Sequence, residues 1–301
     1  MTGHPTLALI GAKGMLAGAV ARGVPAGWRV VGYDLPELDL ADRDGVLRTL
    51  EGLGPEVIVN CAAYTDVDGC EAREDLANRV NGEGPGHLAE AARRLDAVLV
   101  HLSTDYVFDG TKNEPYVEDD PPSPLGAYGR SKLLGEQRVL ASGHSRCFVV
   151  RTSWLYGPGG KNFVETIARL AGEREELRVV ADQVGCPTYT EDLARALVTL
   201  LALVPTSPGT GNRAPPYGIY HFSNEGSCSW HGFALEITAR LRERGPVRAR
   251  AVLPISTAEY PTPARRPPYS ILSKQKYITA TGQPVPHWKD GLTRYFESRK
   301  S

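Results

Sequence analysis

Tyr128 and Lys132 stand four residues apart in AYGRSKLL (127–134), directly after the proline-rich run DDPPSPLG. That spacing puts a phenol and an ammonium on one helical face. Taken alone, the pair also fits the polar face of an ordinary amphipathic helix. The chemistry it could serve is reduction of a ketone by a nicotinamide. The developing alkoxide needs a proton donor. A phenol's ordinary pKa is about 10, and an adjacent ammonium favours the phenolate and lowers that value. The donors of Lys132 would also reach the nicotinamide ribose. Thr104, in LSTDYVFDG (102–110), would hydrogen-bond the carbonyl, with Ser103 as the competing hydroxyl.

A hydride donor needs its own binding turn. The apolar run TLALIGA (6–12) leads into GAKGMLAGAV, with Gly11, Gly14 and Ala17 in a G-x-x-G-x-x-A pattern. Small residues there permit a tight turn and let backbone N–H groups meet a pyrophosphate at a helix N-terminus. Asp34 closes the next apolar run, WRVVGYD (28–34), about 20 residues on, where dinucleotide folds place an acid on the ribose 2′-hydroxyl. A carboxylate there leans towards NADH over NADPH, although Asp34 also fits a cap or turn. Asp39 and Leu40 are further candidates for the adenosine end.

These groups are positioned by alternating elements. Apolar runs at 6–12, 28–34, 56–63, 97–104 and 147–153 alternate with amphipathic stretches at 14–23, 42–53, 70–95 and 127–141. Near-continuous apolar strands separated by helices imply an α/β fold with a doubly wound, Rossmann-type parallel sheet covered on both faces. In that fold ligands lie beyond the carboxyl ends of the strands. Helices are expected at 162–175, 191–204 and 229–245, a surface loop at 205–218, and irregular chain with short strands at 252–291. The reading assigns 1–153 to a dinucleotide-binding domain, with 179–204 completing its sheet. Residues 154–178 and 218–301 form a smaller C-terminal substrate-binding lobe.

Composition removes several classes. With 34 basic and 35 acidic residues the net charge is −1, and there is no basic stripe, which argues against nucleic acid as a partner. No apolar run approaches the length of a membrane span, and the N-terminus lacks a signal-peptide pattern. Five irregularly spaced cysteines argue against a disulfide framework or structural zinc. The reducing cytoplasm is the expected compartment.

Gly11-x-x-Gly14, a threonine ending the fourth strand and Tyr128-x-x-x-Lys132 together resemble the extended short-chain dehydrogenase/reductase superfamily. VNCAAYTDVDGCE (59–71), HLSTDYVFDG (101–110), SPLGAYGRSKLLGE (123–136), RTSWLYG (151–157), DQVGCPTY (182–189), YHFSNEGSCSWHGFA (220–234) and YPTPARRPPYSIL (260–272) resemble, in order and spacing, the dTDP-4-dehydrorhamnose reductase family. The resemblance spans nearly the whole chain. It implies a Thr104, Tyr128, Lys132 triad, with Tyr128 as proton donor. It implies cofactor contacts at Gly11, Gly14, Met15, Leu16, Asp34, Asp39, Leu40, Ala63, Tyr64, Thr65 and Leu102, besides Tyr128 and Lys132. Contacts to a dTDP-sugar are implied at Thr104, Asp105 and Trp154, with Val67 adding to the pocket. Ala17 replaces the third glycine of the turn, and Tyr64 stands where relatives carry histidine. Some family members are described as magnesium-dependent, but no metal-ligand cluster is visible, and no metal is expected. Relatives are often homodimers.

The basic turn ARRPPYS offers Arg265 and Arg266 to the substrate diphosphate, or simply to solvent. Trp154 and Trp230 could stack on thymine or sugar, or pack in a core. The implied reaction is reduction of dTDP-4-dehydro-6-deoxy-L-mannose to dTDP-L-rhamnose with NADPH or NADH. Alternatives are another nucleotide-sugar 4-ketoreductase, a 4-epimerase that retains its NAD, and a non-catalytic subunit of the methionine adenosyltransferase type.

Overall fold

The computed structural model describes residues 4–204 and 217–299. Most of the loop expected at 205–218 lies outside them. The chain opens with β1 (Thr6–Ile10), α1 (Met15–Gly23), β2 (Arg29–Tyr33), α2 (Arg43–Leu53) and β3 (Val57–Asn60). Next come α3 (Val67–Ala72), α4 (Glu74–Ala77), a π-helical turn (Asn78–Glu83), α5 (Gly84–Leu95), β4 (Val98–Thr104), α6 (Ala127–Leu140) and β5 (Cys147–Thr152). The second half holds β6 (Leu155–Tyr156), α7 (Phe163–Glu173), β7 (Glu176–Val180), β8 (Val184–Gly185), β9 (Thr188–Tyr189), α8 (Thr190–Ala202) and β10 (Gly218–His221). It ends with β11 (Cys228–Ser229), α9 (Trp230–Arg242), β12 (Ala251–Ile255), α10 (Gln275–Thr281) and α11 (Trp288–Ser298).

Six parallel strands form the central sheet in the order β10-β5-β4-β3-β1-β2. All seven residues of β4 are buried, as expected of a strand covered on both faces. One face packs α1 and α8 through Leu16, Val20, Leu193, Leu197 and Leu200. The other packs α2 and α5 through Val46, Leu50, Leu88 and Ala92. The chain leaves β1 for β2 in one direction and continues from β3 to β10 in the other. The crevice for a ligand therefore opens at the carboxyl ends of β1 and β3.

Three expectations are corrected. The sixth strand is β10 at 218–221 and not a part of 179–204. Within that segment α8 packs on α1 beneath the sheet, while β7 pairs with β12 in the lobe. The stretch expected as one helix over 70–95 is divided by a break at Arg73 and by the π turn. The chain over 252–291 carries β12 and the helix α10, and so is more regular than its prolines suggest. The lobe has its own core, in which Tyr156, Phe233, Trp288, Leu292 and Tyr295 pack α7, α9 and α11 together. Among the described residues no helix is long and apolar enough to cross a membrane.

Candidate active site

A cleft of about 490 Å³ opens at the predicted crevice. Gly11, Gly14, Met15, Leu16, Asp34, Asp39, Leu40, Ala63, Tyr64 and Thr65 all line it, as the sequence reading expects of cofactor contacts. The turn before α1 has the shape a dinucleotide requires. Gly11 has φ of +78°, and a Cβ there would lie 2.7 Å from the Ala62 backbone nitrogen, so only glycine fits. Gly14 caps α1 with no side-chain hydrogen bond. The helix N-terminus therefore keeps free N–H groups for an anion. These residues fit a bound dinucleotide.

The acid at the end of β2 is held in place. Asp34 accepts from the Lys13 N–H through Oδ2 and from the Leu35 N–H through Oδ1, each at 2.9 Å. Lys13 Nζ donates to the Leu35 carbonyl at 2.7 Å.

The three residues expected as the triad lie at the end of β4 and on α6. Thr104 is buried, and its hydroxyl lies close enough to Tyr128 to act on the phenol. Burial first, and then the charge of Asp105, push the phenol well above its ordinary pKa; the Thr104 hydroxyl pulls the other way. The lowering by Lys132 that the i, i+4 spacing suggests is not among the influences on Tyr128. Lys132 Nζ turns instead to the Leu102 backbone carbonyl, at 2.6 Å. That contact is the described role of Leu102. Burial brings the ammonium down to about 8, opposed by the charges of Glu136 and Cys61.

The residues expected to meet the substrate divide into two groups. Asp105 and Tyr106 continue from Thr104, and Tyr106 meets Tyr128 edge-on at 5.8 Å between ring centroids. Val67 opens α3, and the next residue, Asp68, receives Arg266: Nη1 to Oδ1 at 3.2 Å and Nη2 to Oδ2 at 2.9 Å. Arg266 also donates to Thr262 Oγ1 and the Ala264 carbonyl. The guanidinium expected on a diphosphate is thus engaged within the protein, whereas Arg265 is exposed. Trp154 follows Thr152, the sheet neighbour of Thr104. Its φ of +46° is a strained value for a bulky residue, and such outliers cluster at ligand sites. Its ring stacks on Trp230 at 3.5 Å and 9°, so one ring face is already covered.

Several supporting residues escaped the sequence reading. Asn81, in the π turn, holds the Tyr64 backbone in both directions. Its Oδ1 accepts from the Tyr64 N–H at 2.7 Å, and its Nδ2 donates to the Tyr64 carbonyl and to Ser131 Oγ, each at 3.0 Å. A Cβ on Gly135 would lie 2.2 Å from the Asn81 carbonyl oxygen, so α6 approaches the turn closely. The signal was NGEGP (81–85), with an asparagine, two glycines and a proline inside a helical pattern. Glu136, one turn beyond Lys132, accepts from Ser103 Oγ at 2.5 Å and pairs with Arg151. Ser103 is therefore occupied there, which leaves Thr104 as the hydroxyl beside Tyr128. Among the described residues no three His, Cys, Asp or Glu side chains gather to hold a metal ion.

The family model for the RmlD substrate binding domain matches residues 6–301. A dTDP-4-dehydrorhamnose reductase of Burkholderia thailandensis is 42% identical over 282 residues, which cover 93% of this chain and 94% of that one. The crystal structure of a dTDP-4-dehydrorhamnose reductase from Clostridium acetobutylicum superimposes with a TM-score of 0.90 at 38% identity, over 98% of this chain and 100% of that one. One from Bacillus anthracis, in complex with NADP, gives 0.89 at 39% identity, covering 98% and 99%. Matched along nearly its full length by these relatives, the chain belongs to the dTDP-4-dehydrorhamnose reductase family.

Proposed function

We propose that the protein reduces the 4-keto group of dTDP-4-dehydro-6-deoxy-L-mannose to give dTDP-L-rhamnose, using NADPH or NADH. The carrying observation is the convergence of Thr104, Tyr128 and Lys132 at the carboxyl edge of the sheet, beside the dinucleotide cleft. A nicotinamide held there supplies the hydride. Tyr128 supplies the proton: its buried phenol keeps the proton at neutral pH and releases it to the developing alkoxide. Thr104 aligns the carbonyl. Lys132, fixed on the Leu102 carbonyl, is read as the ammonium that meets the nicotinamide ribose.

Lys13 and Asp34 make the adenosine end two-sided. The carboxylate suits a ribose 2′-hydroxyl and the ammonium suits a 2′-phosphate, so both cofactors are accepted and the lean towards NADH is moderated. With Arg266 engaged by Asp68, the diphosphate is read onto Arg265. Trp154 borders the sugar by the part of its ring that Trp230 leaves uncovered. A cytoplasmic location and a homodimer complete the reading, the dimer being checked by light scattering.

The test is incubation with dTDP-4-dehydrorhamnose generated in situ and either cofactor, with the product sugar identified by NMR. Tyr128→Phe should lower kcat by about 10²–10⁴ with KM little changed. A different product sugar, or an unaffected Tyr128→Phe enzyme, refutes the assignment.

A further inference from the structure

Asp105 is 2% exposed at the end of β4. Its Oδ1 lies 3.0 Å from Thr104 Oγ1. Its Oδ2 is buried and has no hydrogen-bond partner among the described residues. A buried carboxylate oxygen left without a partner is costly; the neutral acid avoids most of that cost.

A threonine hydroxyl carries one proton and two acceptor sites. Thr104 Oγ1 already accepts from the Tyr106 N–H at 3.2 Å. Its single proton can go to only one acceptor at a time: Asp105, the Tyr128 phenol oxygen or a substrate carbonyl. An ionised carboxylate only accepts, so it takes that proton. A neutral carboxyl can donate to Oγ1 through the second acceptor site, which frees the threonine proton.

We propose that Asp105 is a positioning residue that acts through Thr104: as a neutral acid it donates to Thr104 Oγ1 and turns the one hydroxyl proton towards the carbonyl to be reduced. This rests on the reading that Thr104 holds that carbonyl. The side chains facing Asp105 are Thr104 and Tyr106 on its own segment, Tyr128 on α6, and Ser270 on the C-terminal segment. None of them is cationic. The ion pair of Arg266 with Asp68 acts on Tyr106. Burial raises the Asp105 carboxyl to about 7, opposed by Ser270 and Thr104. The neutral form therefore prevails below that pH and is lost above it, and the alignment of the carbonyl is lost with it.

The experiment compares wild type with D105N, which is isosteric and does not titrate. For a single group of pKa near 7, kcat/KM of the wild type for the keto-sugar should fall about fourfold between pH 5.5 and 7.5. The D105N profile should vary by less than about 1.5-fold over the same range. T104V should also lose this limb, because Asp105 acts through that hydroxyl, and it carries the test if D105N does not fold. Infrared difference spectra of the substrate-free wild type across pH 7 should show a protonated-carboxyl band that D105N lacks. A limb that persists in D105N or T104V, or no such band, overturns the proposal. If the wild type reduces no keto-sugar at any pH, the proposed function fails instead, and the infrared arm still decides the state of Asp105.

Discussion

Glu136 and Arg151 meet beneath the reacting hydroxyls as a fully buried pair, with Nε to Oε1 at 2.9 Å and Nη2 to Oε2 at 2.7 Å. Both side chains are 2% exposed. The pair ties α6, which carries Tyr128 and Lys132, to β5. Through Ser103 Oγ on Glu136 Oε1 it also ties α6 to β4. Arg151 continues to the Glu118 carbonyl at 3.4 Å and to His221 Nε2 at 3.3 Å, and its guanidinium lies over the Phe108 ring. Thr104, Tyr128 and Lys132 thus sit on elements buckled together by this pair.

Removing one partner of such a pair leaves the other as an uncompensated buried charge. Glu136→Gln should therefore cost about 3–5 kcal/mol of stability, read by urea unfolding. Replacing both by methionine should recover most of that loss, since a well-packed apolar pair is often as stable as a buried ion pair. The double variant should still reduce its substrate slowly, because α6 would be held by packing alone. A Glu136→Gln protein within about 1 kcal/mol of wild type would show that the pair is not the fastening it appears in geometry.

Lys132 gives a prediction in which activity and stability part company. Its folded pKa of about 8 lies below the ordinary lysine value of about 10.4. Below pH 8 both folded and unfolded chains carry the proton, and the full cost of burying the ammonium stands. Between about 8 and 10.4 the unfolded chain binds more protons, so stability rises with pH. A difference of that size is worth about 3 kcal/mol, against about 1–3 kcal/mol for leaving the Leu102 carbonyl unsatisfied. Lys132→Met should abolish useful turnover yet unfold at pH 7 no more readily than wild type. Wild type should gain on the variant as pH rises from 8 to 10. Thermal unfolding at several pH values checks the sign, and a variant much less stable than wild type at pH 7 contradicts it.

The adenosine end separates by charge. Asp34→Ala should raise KM for NADH about tenfold and leave KM for NADPH level or lower, because a carboxylate repels a 2′-phosphate. Lys13→Ala should do the opposite, raising KM for NADPH. Steady-state kinetics with both cofactors provides the four numbers needed. Parallel shifts in both cofactors would mean that Lys13 and Asp34 only brace the turn.

What could be read from the sequence follows from where the physics is local. The first five strands are apolar runs ending in glycine, polar or charged residues, and their alternation with helices announces the sheet and its crevice. The residues lining the cleft follow, because the turn after β1 needs small residues wherever it occurs. β10 was missed because GIYH is four residues long and pairs only at distance, with β5. α11 was legible in principle: Trp288, Leu292, Tyr295 and Phe296 stand at i, i+4, i+7 and i+8, and all are buried. The spacing of Tyr128 and Lys132 gave their shared face but not the direction of the ammonium, which depends on a carbonyl 30 residues upstream. The engagement of Arg266 was hidden for the same reason, since its partner Asp68 is 198 residues away.

That partnership supports a last prediction. The segment 262–272 crosses from α3 to the lobe. Asp68 Oδ1 accepts from the Ala264 N–H at 3.1 Å as well as from Arg266. Further along, the Pro268 carbonyl accepts from the Val184 N–H at 2.8 Å, and the Ser270 N–H donates to the Val184 carbonyl at 2.9 Å. The Ile271 carbonyl accepts from the Tyr116 N–H at 2.8 Å. Asp68 is thus the fastening at the α3 end, and the ladder to Val184 and Tyr116 is the fastening at the other. Asp68→Ala and Arg266→Ala should each raise KM for the dTDP-sugar by a similar factor with kcat less affected, because both release the same end. The double variant should be no worse than either single one, as expected for two residues that act as one contact. Hydrogen exchange should rise around residues 262–266 and stay slow at 269–272, where the second fastening is untouched. Additive losses, or a larger effect of Arg266→Ala than of Asp68→Ala, would instead place the Arg266 guanidinium on the substrate itself.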